Sequence, residues 1–285
     1  MLEKELETAI EAAQKAGASI LDFYESDFEI EEKIFEDNFS EPVTIADRTA
    51  SRIIVEDLAE EFPSDGILSE EEFDDKPRLE KTRLWIIDPL DGTSGFVQKT
   101  GDFAVQIGLA DSGAAVLGVV FMPLQNILYY AVKDNGAFVV ENDNPPQKLH
   151  VSNETDFGKM ILASSRNHRS PRMSQINERF GLKSEVQRGS VGLKVGLIAQ
   201  QKADLYIHLS PRTKHWDTCA PEIILTEAGG AMTDLFGEKI IYNTSDVHNH
   251  NGVLATNGIS HVEAVKNLKS LLSEFGRFRV KAVKK

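Results

Sequence analysis

A single cysteine, Cys219, stands in 285 residues. That excludes an internal disulfide framework and leads us to expect a reducing, cytoplasmic setting. Long apolar runs are missing too: none approaches the roughly 20 residues that cross a bilayer, so no membrane role is expected. The N-terminal stretch MLEKELETAIEAAQKAGASILDFY has no basic segment ahead of an apolar one, so it reads as a first helix and not as a signal peptide. Basic residues are outnumbered, 31 Lys and Arg against 45 Asp and Glu, for a net charge of −14. Such a surface repels nucleic acid polymers, whose binding needs lysine and arginine on the phosphates. It also repels a small phosphorylated metabolite, so a phosphate-handling site here needs local positive charge, for which bound metal is the obvious source.

What is present is ordinary globular material, 41% hydrophobic and 27% charged. The length allows one large domain or two closely joined halves. Leu2, Leu6, Ile10, Ala13, Ile20 and Tyr24 recur at helical spacing. Gly17 lies on the same face and would let a neighbour pack close. Residues 29–40 are polar and irregular and read as a loop. A second helix follows Thr44 and runs to about Phe62, and Ile67, Leu68 and Ser69 make a short strand. Asp111-Ser112-Gly113 and Asp134-Asn135-Gly136 each sit between strand-like runs and predict two hairpins. The polar stretch 141–147 marks a boundary. Beyond it, strands (160–164, 204–208, 252–256) alternate with helices (171–180, 191–201, 217–228, 259–275). We therefore expect an α+β first half, 1–147, joined to an α/β second half, 148–285, with a largely parallel sheet.

The most telling stretch is WIIDPLDGTSGF, residues 85–96. An apolar run reads as a buried strand that ends at Asp88, placing Asp88 and Asp91 at its exit. Gly92, Thr93 and Ser94 add amides and hydroxyls. Carboxylates collect a hard cation, and amides and hydroxyls hold an anion, so this junction points to phosphoryl chemistry. Glu70, Glu71 and Glu72 follow the short strand and gain meaning only if the fold brings them beside Asp88. Asp217 opens a helix, as an N-cap aspartate does, yet such a carboxylate can also face a cation. Asp47, three residues after Thr44, can likewise be a cap. Cys219 reads as a small core residue, and the seven histidines show no metal-ligand spacing, so His248 and His250 read as loop residues. Basic clusters at Arg166 to His168, Arg188 to Lys194 and Arg212 to Lys214 suit an anionic substrate.

These motifs resemble the inositol monophosphatase family of lithium-sensitive, magnesium-dependent phosphatases. PVTIAD (residues 42–47), SEE (69–71), WIIDPLDGTSGF, and WDTCAPE followed by EAGG (216–230) stand where that family's motifs stand. The resemblance implies a layered α-β-α-β-α fold shared with fructose-1,6-bisphosphatase. It implies that Glu70, Asp88, Asp91 and Asp217, with the Leu90 carbonyl, hold two or three Mg²⁺ ions. Asp47 and Thr93 would orient and deprotonate the attacking water, with Glu71 close by, and the Gly92 and Thr93 amides would receive the phosphate. Within the family the chain is most similar to the CysQ type, the 3'(2'),5'-bisphosphate nucleotidases, through SRNH (165–168), GSVGLK (189–194) and ADLYIH (203–208). That similarity carries His168, Ser190 and Lys194 over as substrate contacts. His208 stands where many bacterial members have arginine, with Arg212 a possible substitute, and GSVGLK departs from the more usual GSSLK. The implied reaction is hydrolysis of adenosine 3',5'-bisphosphate to AMP. Inositol monophosphatase activity is the alternative, then fructose-1,6-bisphosphatase activity or a non-catalytic metal- or nucleotide-binding role. Monomers and homodimers both fit.

Overall fold

The computed structural model describes residues 2–26, 30–34, 40–74, 76–142, 144–166 and 171–280. Two helices open the chain, α1 (Glu3–Tyr24) and α2 (Ile45–Glu61). The buried face of α1 is built from Ala9, Ala12, Ala13, Ala16 and Gly17, small residues that allow a close approach. At Gly17 an added Cβ would lie 2.6 Å from the Phe121 ring. Both helices cover one face of a seven-stranded sheet, sharing a core with Ile54, Leu58, Ile87, Ile107 and Val119.

That sheet runs in the order β3 (Gly66–Ser69), β4 (Arg83–Asp91), β5 (Ala104–Asp111), β6 (Ala114–Met122), β7 (Ile127–Val132), β8 (Gly136–Glu141) and β9 (Gln147–Lys148). β3 and β4 are parallel and the remaining pairs antiparallel. Both hairpins form where Gly113 and Gly136 supply the positive φ that such turns need. Within the stretch 29–40 that its polarity leads one to expect as a loop, residues 30–34 form β1 (Ile30–Ile34), which pairs antiparallel with β2 (Ser40–Thr44) in a ribbon. Ile30, Glu31 and Glu32 are exposed, so β1 opens with no buried alternation to read.

The second sheet holds β10 (Ile161–Ser165), β11 (Ser184–Arg188), β12 (Leu205–His208), β13 (Ala231–Thr233) and β14 (Val253–Thr256), in the order β11-β10-β12-β14-β13. β10 pairs parallel with β11 and β12, whereas β14 pairs antiparallel with β12 and β13. The sheet is therefore mixed, not largely parallel, because β14 runs antiparallel to β12 and β13; the polar β11 and the three-residue β13 carried too little apolar pattern to register. Between the sheets lie α5 (Val191–Ala199) and α6 (His215–Glu227), and α4 (Pro171–Phe180) and α7 (His261–Glu274) cover the outer face. The layers read α-β-α-β-α. Gly108 and Gly118 let α6 sit directly on β5 and β6, for added Cβ atoms would meet Cys219 Sγ at 2.7 Å and the Ala220 carbonyl oxygen at 2.5 Å. Cys219 is a buried packing residue. Among the described residues no helix is long and apolar enough to cross a membrane.

Candidate metal and phosphate site

β4 supplies the first two acids. Residues three apart in a regular strand face opposite sides of a sheet. Here Asp88 pairs with Gln106 and Asp91 with Ala104, so β4 carries one extra residue around Pro89 and Leu90. Proline lacks the N–H that a ladder needs, and a bulge tolerates that loss. The strand therefore runs through to Asp91 instead of ending at Asp88, and the bulge returns both carboxylates to the same side. Asp217 joins them from α6, and oxygens of Asp88, Asp91 and Asp217 lie within 4.8 Å of one another. Asp88 and Asp91 are buried.

Glu70 follows β3, which runs parallel to β4 with Ser69 opposite Ile87. Its N–H donates to the Ile87 carbonyl at 3.1 Å, which places it beside Asp88. Lys214 Nζ stands 4.0 Å from a Glu70 oxygen and 5.0 Å above the Trp216 ring.

Three helices aim their first turns at this cluster. Asp47 lies in the first turn of α2, and its Oδ2 accepts the Thr44 N–H and hydroxyl, each at 2.7 Å. Asp217 is the third residue of α6, not its N-cap, and its Oδ2 accepts the Lys214 N–H at 2.5 Å. Asp91 Oδ2 accepts the N–H groups of Val191 (2.7 Å) and Gly192 (3.2 Å) at the start of α5, together with the Ser190 hydroxyl and Gln106 Nε2 at 2.6 Å. Each helix start carries partial positive charge, which favours these carboxylates. Asp88 accepts the Leu90 N–H instead, at 3.1 Å.

Even so, the cluster is short of positive charge. Burial drives the Asp88 carboxyl well above the usual carboxylate range, and the charges of Glu70, Asp91 and Asp217 push it further. Burial also raises Asp91, opposed by the Lys194 ammonium and the donors named above. At the outer separation of 4.8 Å each pair of charges repels by about 3.5 kcal/mol at an effective dielectric near 20. Clustered, buried, oxygen-only donors are what a hard divalent cation selects, so this cluster fits one.

Beside the acids, the Thr93 hydroxyl donates to Asp47 Oδ1 at 2.9 Å, with the Leu90 carbonyl 3.2 Å away. Burial raises the Asp47 carboxyl to about 6; hydrogen bonds from Thr44 and Thr93 oppose the rise and the Glu71 charge adds to it. Gly92 precedes the short helix α3 (Thr93–Val97) with φ +100°, and an added Cβ there would lie 2.4 Å from the Asp102 carbonyl oxygen. No other residue fits that turn.

The proposed substrate wall divides. Ser190 and Lys194 are fully buried behind Asp91. Lys194 Nζ donates to the Gly189 carbonyl at 2.8 Å, and burial brings its ammonium down to about 8 against the pull of Asp91, Asp217 and Asp102. Arg166 and Arg188 are more open, 39% and 38% exposed in their side chains, and both face Asp102. His208 ends β12 half-buried, Arg212 is exposed in the turn before α6, and His168 lies outside the described residues. Two residues escaped the sequence reading. Gln106 is the lone polar residue within FAVQIGLA, a signal in itself once that run is known to be buried. Asp102 ties the loop after α3 to β10 and β11 through Arg166 Nη2 (2.8 Å) and the Gly189 N–H (3.1 Å), a partnership across the fold that local sequence does not announce.

Comparison with known proteins agrees with this architecture. The profile of the inositol monophosphatase family matches residues 1–268. A 3'(2'),5'-bisphosphate nucleotidase CysQ from Aggregatibacter actinomycetemcomitans is 36% identical over 242 residues, 84% of this chain and 87% of its own length. A fructose-1,6-bisphosphatase/inositol-1-monophosphatase from Thermotoga maritima is 30% identical over 280 residues, 95% of this chain and 98% of its own. Among solved structures, CysQ from Bacteroides thetaiotaomicron superposes with a TM-score of 0.75 at 31% identity, covering 90% of this chain and 98% of that one. With the layered fold and the acidic cluster at the β4 bulge, these matches place the chain in the inositol monophosphatase family, as a phosphoric monoester hydrolase.

Proposed function

We propose that the protein is a Mg²⁺-dependent 3'(2'),5'-bisphosphate nucleotidase that converts adenosine 3',5'-bisphosphate to AMP and phosphate. The observation that carries the reading is the Thr93–Asp47 hydrogen bond set against the Asp88, Asp91 and Asp217 cluster. A proton acceptor and a cation site side by side are what hydrolysis of an anionic ester by water needs.

In this reading Glu70, Asp88, Asp91, Asp217 and the Leu90 carbonyl hold the magnesium. Bound Mg²⁺ supplies positive charge: it offsets the carboxylates, acidifies water and steadies the leaving oxygen. The chain's own residues handle the proton and the phosphate. Thr93 orients the attacking water and passes its proton to Asp47, with Glu71 nearby, as the bond from phosphorus to the 3' oxygen breaks. Gly92 and Thr93 amides receive the phosphate. Ser190, Gln106 and Lys194 fix Asp91 and balance its charge. Arg188 and Arg166, with His168, His208 and Arg212 as further candidates, meet the rest of the nucleotide, where a second phosphate calls for guanidinium groups.

The Thermotoga relative, which spans nearly the whole chain, favours inositol phosphate or fructose 1,6-bisphosphate as a second reading. A hydrolysis panel of the three substrates separates them. The expected order of kcat/KM puts adenosine 3',5'-bisphosphate first, with activity lost in EDTA and restored by Mg²⁺. A clear preference for inositol 1-phosphate refutes the nucleotide assignment.

A further inference from the structure

The phosphatase site leaves one cluster of metal-binding groups unused. Residues 246–250 read Asp-Val-His-Asn-His, which as sequence looks like an ordinary loop. Folded, it becomes a cluster. Asp246 Oδ1 lies 3.0 Å from His248 Nδ1, and Oδ2 lies 2.6 Å from His250 Nε2. The three ligand atoms fall within 4.8 Å of one another, and the two imidazoles stack with centroids 5.5 Å apart.

The His248 N–H also donates to Asp246 Oδ1 at 3.0 Å, and the backbone beneath is braced further by bonds that do not involve the three side chains. His248 pairs with Lys214 in an antiparallel bridge. The His215 N–H donates to the Val247 carbonyl at 2.9 Å, and the Asn249 N–H donates to the Thr213 carbonyl at 2.8 Å. Asn249 Nδ2 adds a bond to the Lys214 carbonyl at 3.0 Å. The cluster lines a cleft of about 410 Å³ whose other walls include Asp234, Glu238 and Arg279, so there is room above it for water.

We propose that Asp246, His248 and His250 form a second metal site, for a borderline divalent transition ion of the Zn²⁺ or Co²⁺ class. Two imidazoles and one carboxylate suit such ions, whereas Mg²⁺ prefers oxygen alone. Three protein ligands with an open fourth position for water is an established arrangement for zinc. Ligands at about 2.0–2.1 Å from a tetrahedral ion stand roughly 3.4 Å apart. The three ligand atoms, one from each residue, now lie within 4.8 Å of one another, so no pair has to shift by more than about 1.4 Å, within reach of half-exposed side chains on a braced backbone. The ion would take the place of the two imidazole hydrogen bonds of Asp246, leaving the one from the His248 N–H.

The site is separate in chemistry and residues from the acidic cluster, and its test does not depend on the nucleotidase reading. The full chain is titrated with Co²⁺ while Mg²⁺ is held in large excess to occupy the all-oxygen site. The expected result is one equivalent of bound Co²⁺ with the visible ligand-field bands of a nitrogen-ligated, low-symmetry ion, lost on adding Zn²⁺. His248→Ala and His250→Gln each weaken binding by about tenfold or more, and the double variant His248→Ala/His250→Ala abolishes it, with circular dichroism and melting temperature in EDTA unchanged. Retention of the same equivalent and affinity by the folded double variant, or by a folded His250→Gln, overturns the proposal. So does a wild-type chain that binds no Co²⁺ under excess Mg²⁺.

Discussion

Replacing Asp88 with asparagine should stabilise the metal-free chain while removing its catalysis. Asp88 is the buried acid at the bulge, near Asp91, Asp217 and Glu70, and the Leu90 N–H is its hydrogen-bond donor. At the outer separation of 4.8 Å, repulsion from Asp91 and Asp217 amounts to about 7 kcal/mol together at an effective dielectric near 20. The native chain can escape part of that by leaving Asp88 protonated. At about pH 8 and an unfolded pKa near 3.9, this costs roughly 5.6 kcal/mol, which sets the ceiling. Lys194 and the helix starts at Asp91 and Asp217 return a share, so a gain of about 2–4 kcal/mol is expected for Asp88→Asn. The sign follows from the raised folded-state pKa. Below the usual carboxylate range Asp88 is protonated folded or unfolded, and the variant gains nothing; as pH rises the wild-type chain loses stability and the variant does not. Urea melts in EDTA near pH 4 and pH 8 measure this. Adding Mg²⁺ should then raise the wild-type midpoint more than the variant's, because binding to the native state alone is stabilising. An Asp88→Asn midpoint equal to or below the wild type near pH 8 in EDTA would refute the claim that the cluster is held together against its own charge.

Thr93→Val keeps the shape of the side chain and removes the hydroxyl that donates to Asp47, so kcat should fall by about 10²–10⁴ while Mg²⁺ still raises the melting temperature; an unchanged kcat takes Thr93 out of the proton path. Gly118→Ala drives a Cβ to within 2.5 Å of the Ala220 carbonyl oxygen and 2.6 Å of Ile223, and should cost about 1–3 kcal/mol in a thermal melt. Because α6 carries Asp217, kcat should drop as well. Burial raises the Glu222 carboxyl, which accepts the Tyr242 hydroxyl, to about 7. Its contribution to stability is present below the unfolded pKa near 4.5 and lost as pH rises through about 7, a decline of at most roughly 3 kcal/mol. Glu222→Gln should flatten that decline between melts near pH 5 and pH 8, and an unchanged pH dependence in the variant refutes the assignment.

Legibility in the sequence followed how local each signal is. α1, α2 and both hairpins were readable because helical spacing and turn residues act within a few positions, though the buried face of α1 centres on Ala9, Ala12 and Ala16 beside the expected Ala13, Gly17 and Ile20, with Leu2, Leu6 and Ile10 at its margin. β1 and β2 were not, since the partner that makes them strands is each other and β1 opens on the exposed Ile30, Glu31 and Glu32. β11 and β13 depend on β10 and β14 for their hydrogen bonds, and their composition carries no trace of that. At the site, Asp88 and Asp91 stood out by adjacency to Gly92 and Thr93, yet the bulge that unites their faces is a register property visible only against β5. Glu70 was an undistinguished member of a charge run until the parallel pairing of β3 with β4 set it beside Asp88. The cluster at Asp246, His248 and His250 was hidden for a different reason. Ligand spacing on helices and strands follows their periods, whereas a turn can bring any two side chains together, so the sequence alone carried no signal.

The three helix starts explain how such an acidic site can exist before any cation arrives. Each N-terminus contributes about half a positive charge, so α2, α5 and α6 together offset roughly one and a half of the charges on Asp47, Asp91 and Asp217. Lys194, buried against Asp91, adds close to one more. Asp88 remains, and its charge is what the fold leaves for a cation to neutralise, for Glu70 already has Lys214 Nζ 4.0 Å from its carboxylate. The backbone thus holds these carboxylates in place without satisfying them. A cluster compensated in full would bind cations weakly, and one compensated by cations alone would not fold in their absence. The division between backbone and ion also locates the sensitivity of the site. Changes at Asp91 or Asp217 disturb a helix start as well as a proposed ligand and should lower stability along with activity. Asp88 is the position where the two effects separate, because its removal relieves repulsion without disturbing a helix start.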